Sequence, residues 1–329
     1  MSAPFSEAAG LPVNTPRPVV TYSPVTLAVP GRPVPLEVKV SAPSTGDKLP
    51  VILFSHGHGM SNFLASHRGY GPLVDFWAAH GFVVLQPTHL DFTGLGLRDS
   101  DTAEAPLFWR SRVEDMHQVL DHLDDIESTV PGLAGRVDWT RVAAAGHSMG
   151  GHTVGMLCGM TVTDAQEGTE LDLRDERILA GVIMAGPGAG EDLAGFAAEH
   201  YPDLAGTSFS KMTKQALVIA GDQDHNPMFT NRADWRSDAY HRSPGDNKTL
   251  LTLFGAEHGL GGISGYDADE TTDESPDRVA AVRALVWAYL QTALNQNDPA
   301  WSDAAAALAA QPDPWGRIET RNVVAKPST

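Results

Sequence analysis

A chain of 329 residues, 42% of them hydrophobic, is long enough to bury a large core, which excludes a disordered protein and allows a single α/β domain. Its formal charge of −18 argues against nucleic acid and against docking on anionic membranes, and it has no apolar run of roughly 18 residues to insert into a bilayer. The one cysteine, Cys158, excludes an intrachain disulfide and a cysteine-cluster metal site.

Residues 1–18, rich in proline and small polar residues, predict an extended arm. Val19–Val29 and Leu36–Val40 predict strands parted by the Pro30-Gly31-Arg32-Pro33 turn. Val51–Phe54 is a continuous apolar run, the kind buried on both faces of a parallel sheet, and it ends in Ser55-His56-Gly57-His58-Gly59. Phe82–Leu85 repeats the pattern ahead of His89 and Asp91, which could line a pocket or serve the fold. Leu107, Val113, Met116, Val119, Leu120, Leu123 and Ile126 then recur at helical spacing, with charge on the opposite side and Asp121, Asp124 and Asp125 in solvent. Val142–Ala145, Ile178–Met184, Ala216–Ala220 and Thr249–Phe254 predict further buried strands. After the Ser275-Pro276 start signal, Val279, Val282, Leu285, Val286, Tyr289 and Leu290 predict a late helix. The alternation predicts a mostly parallel, twisted sheet of about eight strands flanked by helices. The expected organisation is an arm over 1–18, a catalytic domain over 19–297, and a helix and tail over 298–329.

Between a strand and a helix lies Gly146-His147-Ser148-Met149-Gly150, the Gly-x-Ser-x-Gly pattern of the nucleophile elbow in α/β-hydrolase folds. The turn is so tight that side chains at its glycines would strike neighbouring backbone, and in return the Ser148 hydroxyl stands clear at a helix N-terminus. A hydroxyl needs an imidazole to take its proton and a carboxylate to hold that imidazole, in the chain order serine, acid, histidine. The loop Gly221-Asp222-Gln223-Asp224 offers two acids. Asp224 is preferred as the one a few residues beyond the strand, leaving Asp222 to shape the turn or support the site from behind; His147 is a second candidate for such support. His258, in Gly255-Ala256-Glu257-His258-Gly259 after the last expected strand, is the expected base; His225 and His241 are its late rivals.

The oxyanion of an acyl-transfer intermediate needs two backbone N–H donors, expected from Met149 and from His58. Joint metal ligation by His56 and His58 is not expected, since neither a His-Glu-x-x-His pattern nor a carboxylate cluster accompanies them. Gly186-Pro187-Gly188-Ala189-Gly190 and Gly259-Leu260-Gly261-Gly262 lack the Gly-Lys-Ser/Thr ending of a phosphate loop and read as turns. Residues 185–215 and 225–247 are the expected pocket walls, with Phe196, Tyr201, Phe209, Met228, Phe229 and Trp235 offering apolar contact area in a fairly open cleft.

Val51–His58, Trp77-Ala78-Ala79-His80-Gly81-Phe82-Val83-Val84 and Gly146–Gly151 together resemble the bacterial dienelactone-hydrolase-like and chlorophyllase-like esterases and the platelet-activating-factor acetylhydrolases. The resemblance implies hydrolysis of carboxylic esters with small or lipid-like acyl groups and no cofactor. Where the acetylhydrolases carry their acid, this chain has Met184-Ala185-Gly186-Pro187, with no carboxylate before Glu191 and Asp192, which returns the acid to Asp224. Ser148 excludes the cysteine chemistry of dienelactone hydrolases proper. The expected activity is a serine carboxylesterase working through an acyl-enzyme on Ser148, with no metal; an amidase, an acyltransferase or a silent binding protein of the same fold are its rivals. A small-molecule ester is the expected partner, with no nucleic acid and no membrane insertion, and a homodimer is compatible. The N-terminus lacks a basic and then apolar leader pattern, so the cytoplasm is expected, with secretion left open.

Overall fold

The computed structural model describes residues 8–265, 268–295 and 297–321, so residues 1–7 of the expected arm and 322–329 of the expected tail lie outside the described residues. In chain order the elements are β1 (Val19–Leu27), β2 (Leu36–Pro43), β3 (Leu49–Ser55), α1 (Gly71–Ala79), β4 (Val83–Pro87), α2 (Trp109–Asp121), α3 (Leu123–Thr129), β5 (Val137–His147) and α4 (Met149–Leu157). There follow β6 (Thr161–Thr163), β7 (Glu170–Leu171), β8 (Ile178–Met184), α5 (Gly195–His200), β9 (Thr207–Ser208), β10 (Gln215–Gly221), α6 (Asp238–His241), β11 (Lys248–Leu253), α7 (Pro276–Leu294), α8 (Ala300–Ala309) and β12 (Gly316–Thr320).

Nine strands form one sheet in the order β1-β2-β4-β3-β5-β8-β10-β11-β12. The run from β4 to β11 is parallel, and antiparallel strands finish both edges. The chain therefore has the α/β-hydrolase fold, with one strand more than the eight expected. The additional strand is β12, whose Ile318 pairs with Leu251 in the segment expected as tail. A separate three-stranded sheet, β7-β6-β9, was not foreseen because its strands are only two or three residues long.

The continuous apolar runs are buried on both faces, as their composition requires. In β3, Val51 and Leu53 join the core beneath α2 and α4, whereas Ile52 and Phe54 join the core beneath α1 and α7. Val142 and Ala144 against Ala143 and Ala145 in β5, and Val218 against Leu217 and Ile219 in β10, alternate in the same way. Each fully buried valine, leucine, isoleucine or phenylalanine contributes about 1.5–3 kcal/mol of transfer free energy, so register is strongly fixed. Cys158 packs in the first core, with burial pushing its thiol up to about 12.

The helix expected across 107–126 is broken at His122 into α2 and α3. Its polar side is also less exposed than expected, since Arg112 and Asp115 are buried. Asp124 and Asp125 do face solvent. The described part of the arm lies against the body, where Asn14 hydrogen-bonds His80 and Leu11 is buried.

Candidate active site

The parallel strands β5, β10 and β11 bring three loops to one edge of the sheet, where open α/β sheets bind ligands. The first is the elbow. Ser148 takes φ 55° and ψ −120°, a backbone state that costs a non-glycine residue about 1–3 kcal/mol and persists only where its surroundings impose it. A Cβ on Gly146 would lie 2.2 Å from the Gly150 carbonyl oxygen, and one on Gly150 would lie 2.0 Å from that of Ser55. Both glycines are therefore steric requirements of the turn. Gly151 lets α4 approach the chain after β8, where its Cβ would lie 3.0 Å from Gly186 Cα.

The Ser148 hydroxyl lies 3.0 Å from His258 Nε2, and His258 Nδ1 lies 2.8 Å from Asp224 Oδ2. This geometry assigns the imidazole proton to Nδ1, donated to the carboxylate, and leaves Nε2 to accept from the serine. Asp224 is buried and also meets Arg236 Nε at 3.2 Å. Burial alone would raise its carboxyl; the positive charge of Arg236 and the contact with His258 outweigh it and hold the group well below the usual carboxylate range. The structure thus unites Ser148, Asp224 and His258 and leaves His225 and His241 exposed elsewhere. Glu191 and Asp192, in the rival acid position, are engaged instead with Arg242 and Arg232.

The two supporting candidates have distinct places. Asp222 does not touch the imidazole; its Oδ1 accepts the Gly255 N–H at 2.7 Å and ties the acid loop to the histidine loop. His147, fully buried, donates from Nε2 to the His258 carbonyl at 2.8 Å and meets the Tyr70 hydroxyl at 3.0 Å. Burial, with His258 beside it, lowers its pKa to about 3, so it stays a neutral strut.

The loop after β3 packs directly on the elbow, its Ser55 and His56 carbonyls crowding Gly150. Among the described residues neither the His58 N–H nor the Met149 N–H has an acceptor; Met149 opens α4, where the first N–H groups lack helical partners. His56 and His58 do not converge on a common point: His56 Nε2 accepts the His89 N–H at 3.0 Å, whereas His58 Nδ1 meets Asp91 at 2.7 Å. His89 bridges Ser55 and Asp115, so His89 and Asp91 belong to a buried polar layer rather than to an open pocket.

Four contributors escaped sequence reasoning: Arg236, Tyr70, Arg112 and Asp115. Nothing in the local pattern of Arg236 or Tyr70 distinguishes them. Arg112 and Asp115 sit about one turn apart on α2, but their partners, Asp91 for Arg112 and Arg32 and His89 for Asp115, come from distant segments, so helical spacing does not reveal them.

The expected walls are braced by ion pairs of Arg232 with Asp192 at 2.6 Å and Asp238 at 2.9 Å, and by Trp235 Nε1 donating to the Ala189 carbonyl. Phe209 and Trp235 are buried, so they support the walls and do not offer contact area; Phe196 and Met228 are exposed, and Tyr201 stacks on Phe229. A cavity of 670 Å³ is lined by wall residues that include Ala189, Ala205, Phe209 and Arg242, and one of 570 Å³ lies between residues 29–33 and α2; neither is lined by Ser148 or His258. Among the described residues no helix is long and apolar enough to cross a membrane.

Comparison with known proteins agrees with the resemblance carried by the motifs. The family model Chlorophyllase matches residues 18–172, the stretch that holds His58, Ser148 and Met149. No curated protein matches the chain. Asp224 and His258 lie beyond the matched stretch, so their placement rests on geometry.

Proposed function

We propose, for a chain that is an α/β-hydrolase resembling the chlorophyllase-like ester hydrolases, that it is a serine carboxylesterase acting on small or lipid-like esters through an acyl-enzyme on Ser148. The observation that carries this reading is the hydrogen-bonded line from the Ser148 hydroxyl through His258 to Asp224, at 3.0 and 2.8 Å. In it, His258 Nε2 takes the serine proton as Oγ attacks the ester carbonyl. Asp224 holds the ring in the tautomer that can do so and offsets the imidazolium charge. The N–H groups of Met149 and His58 stabilise the oxyanion. His258 then passes its proton to the departing alkoxide, and water activated by the same nitrogen resolves the acyl-enzyme, releasing the acid. No cofactor enters these steps.

Hydrolysis of p-nitrophenyl esters of graded acyl length, with fluorophosphonate labelling read by mass spectrometry, tests the reading. Ser148→Ala is expected to lose roughly 10⁴- to 10⁶-fold in kcat and all labelling. Near-wild-type turnover in that variant would refute it.

A further inference from the structure

One peptide unit, Gly57–His58, is held at its carbonyl while its N–H has no acceptor among the described residues. Arg112 of α2 is fully buried, and its guanidinium donates to the His56 carbonyl at 2.8 Å, the Gly57 carbonyl at 3.0 Å and Asp91 Oδ2 at 2.7 Å. The Gly57 carbonyl receives a second hydrogen bond from His56 Nδ1 at 2.7 Å. The His58 ring is pinned through Nδ1 to the same Asp91 oxygen, and the Gly57 N–H is taken by the Tyr70 hydroxyl at 2.9 Å.

A trans peptide is planar, with its C=O and N–H pointing in opposite directions. Fixing the Gly57 carbonyl on the planar fork of Arg112 therefore fixes the direction of the His58 N–H, and hydrogen bonds accepted by a carbonyl polarise the N–H of the same unit. We propose that Arg112, anchored by Asp91, is a positioning residue that aims the His58 N–H at the oxyanion without touching substrate. The inference rests on the serine-esterase reading above. The surrounding charges favour this role. Burial, together with neighbouring His89 and Arg112, keeps His56 neutral, while Arg112 and His58 overcome burial and keep Asp91 ionised. A neutral His56 has one ring proton to give to Gly57 and a free Nε2 to accept from His89.

Lysine at position 112 keeps the charge but cannot reproduce a fork that serves two carbonyls and a carboxylate at once. The test compares wild type, Arg112→Lys, Asp91→Asn and Ser148→Ala on a matched ester and thionoester pair, with thermal melting as the check on folding. Losing one oxyanion donor outright costs about 10²- to 10³-fold in kcat, so a misaimed donor should cost roughly 10- to 100-fold. The expected result for Arg112→Lys is that loss in kcat on the ester with KM within about threefold. Its ester-to-thionoester rate ratio should also fall, because sulfur gains less from the N–H that has been misaimed. Should Arg112→Lys fail to fold, Asp91→Asn, which is isosteric and weakens the anchor by removing its charge, should show a smaller loss in kcat with a correspondingly smaller fall in ratio. A folded variant with unchanged kcat, or with kcat lowered at an unchanged ratio, overturns the role of Arg112. Retained activity in Ser148→Ala overturns the serine mechanism instead, so the two failures are distinguishable.

Discussion

Asp222 and Asp224 are two positions apart in sequence yet hold different atoms: one the Gly255 N–H, the other the His258 ring. Exchanging each for asparagine separates structure from chemistry. Asp224→Asn keeps the shape but can present its amide N–H₂ to Nδ1 and select the wrong tautomer, so kcat should drop by about 10³- to 10⁴-fold. Asp222→Asn retains an acceptor for Gly255 and should stay within about threefold of wild type in steady-state turnover, with a stability cost of about 0.5–1.5 kcal/mol. The two acids were separable in the sequence by their distance from the strand end, because the carboxylate has to clear the sheet before it can reach an imidazole on the next loop. Arg236 was not legible, since it folds back on Asp224 from the far end of the long connection between β10 and α6 and has no short-range signature.

Among the elements, the elbow was legible and the sheet edges were not. Gly-x-Ser-x-Gly has a mechanical cause that persists in the folded chain as forbidden Cβ positions, whereas β12 carries one apolar residue, Ile318, among polar ones and looks like any exposed segment. The break between α2 and α3 was hidden because the apolar stripe continues through Leu123 and Ile126 across it. Two glycine substitutions probe the difference between required and incidental glycine. Gly150→Ala forces a carbon against the Ser55 carbonyl and should destabilise by about 1–3 kcal/mol or more, with activity lost as the segment at the end of β3 is displaced from the elbow. Gly195→Ala, at the start of α5 with open space around it, should be neutral or stabilising by about 0.4–1 kcal/mol. Urea unfolding of the two variants beside wild type checks both.

At the scale of the whole molecule, the fold stores many histidines as neutral groups. Burial lowers His80 to about 4 and His147 and His152 to about 3, and drives His56 and His89 well below the ordinary value. In the unfolded chain these rings take up protons below about pH 6.5 while the native ones do not, so acid favours unfolding from that point downward. Asp91 and Asp224, held low in the native state, add to the loss once pH falls through about 4 toward their native values. Asp115, raised to about 6 by burial against the pull of Arg32, works the other way between about pH 6 and 4, as do the carboxyls of Glu114 and Asp203, which burial also raises, while burial lowers His67 along with the other rings. The melting temperature should be nearly flat between about pH 7 and 8 and decline steeply below about 6, each uncompensated ring contributing up to roughly 1.4 kcal/mol per pH unit. A melting temperature that rises between pH 7 and 5 would contradict this. The overall doubly covered sheet was legible because its strands are apolar on both faces; the buried histidines were not, since burial of a polar ring depends on partners contributed by distant loops.

The solitary Cys158 gives the experimenter an intrinsic stopwatch. Its sulfur is sealed against Gly181, where even a methyl group would intrude to 2.6 Å, and its protonated state makes it a poor nucleophile while the sheet is intact. Alkylation by a small maleimide should therefore proceed only through opening of the interior, with one adduct per molecule. Its rate in the absence of denaturant would time how often this hydrolase exposes its centre, with no label to engineer and no second thiol to confuse the count.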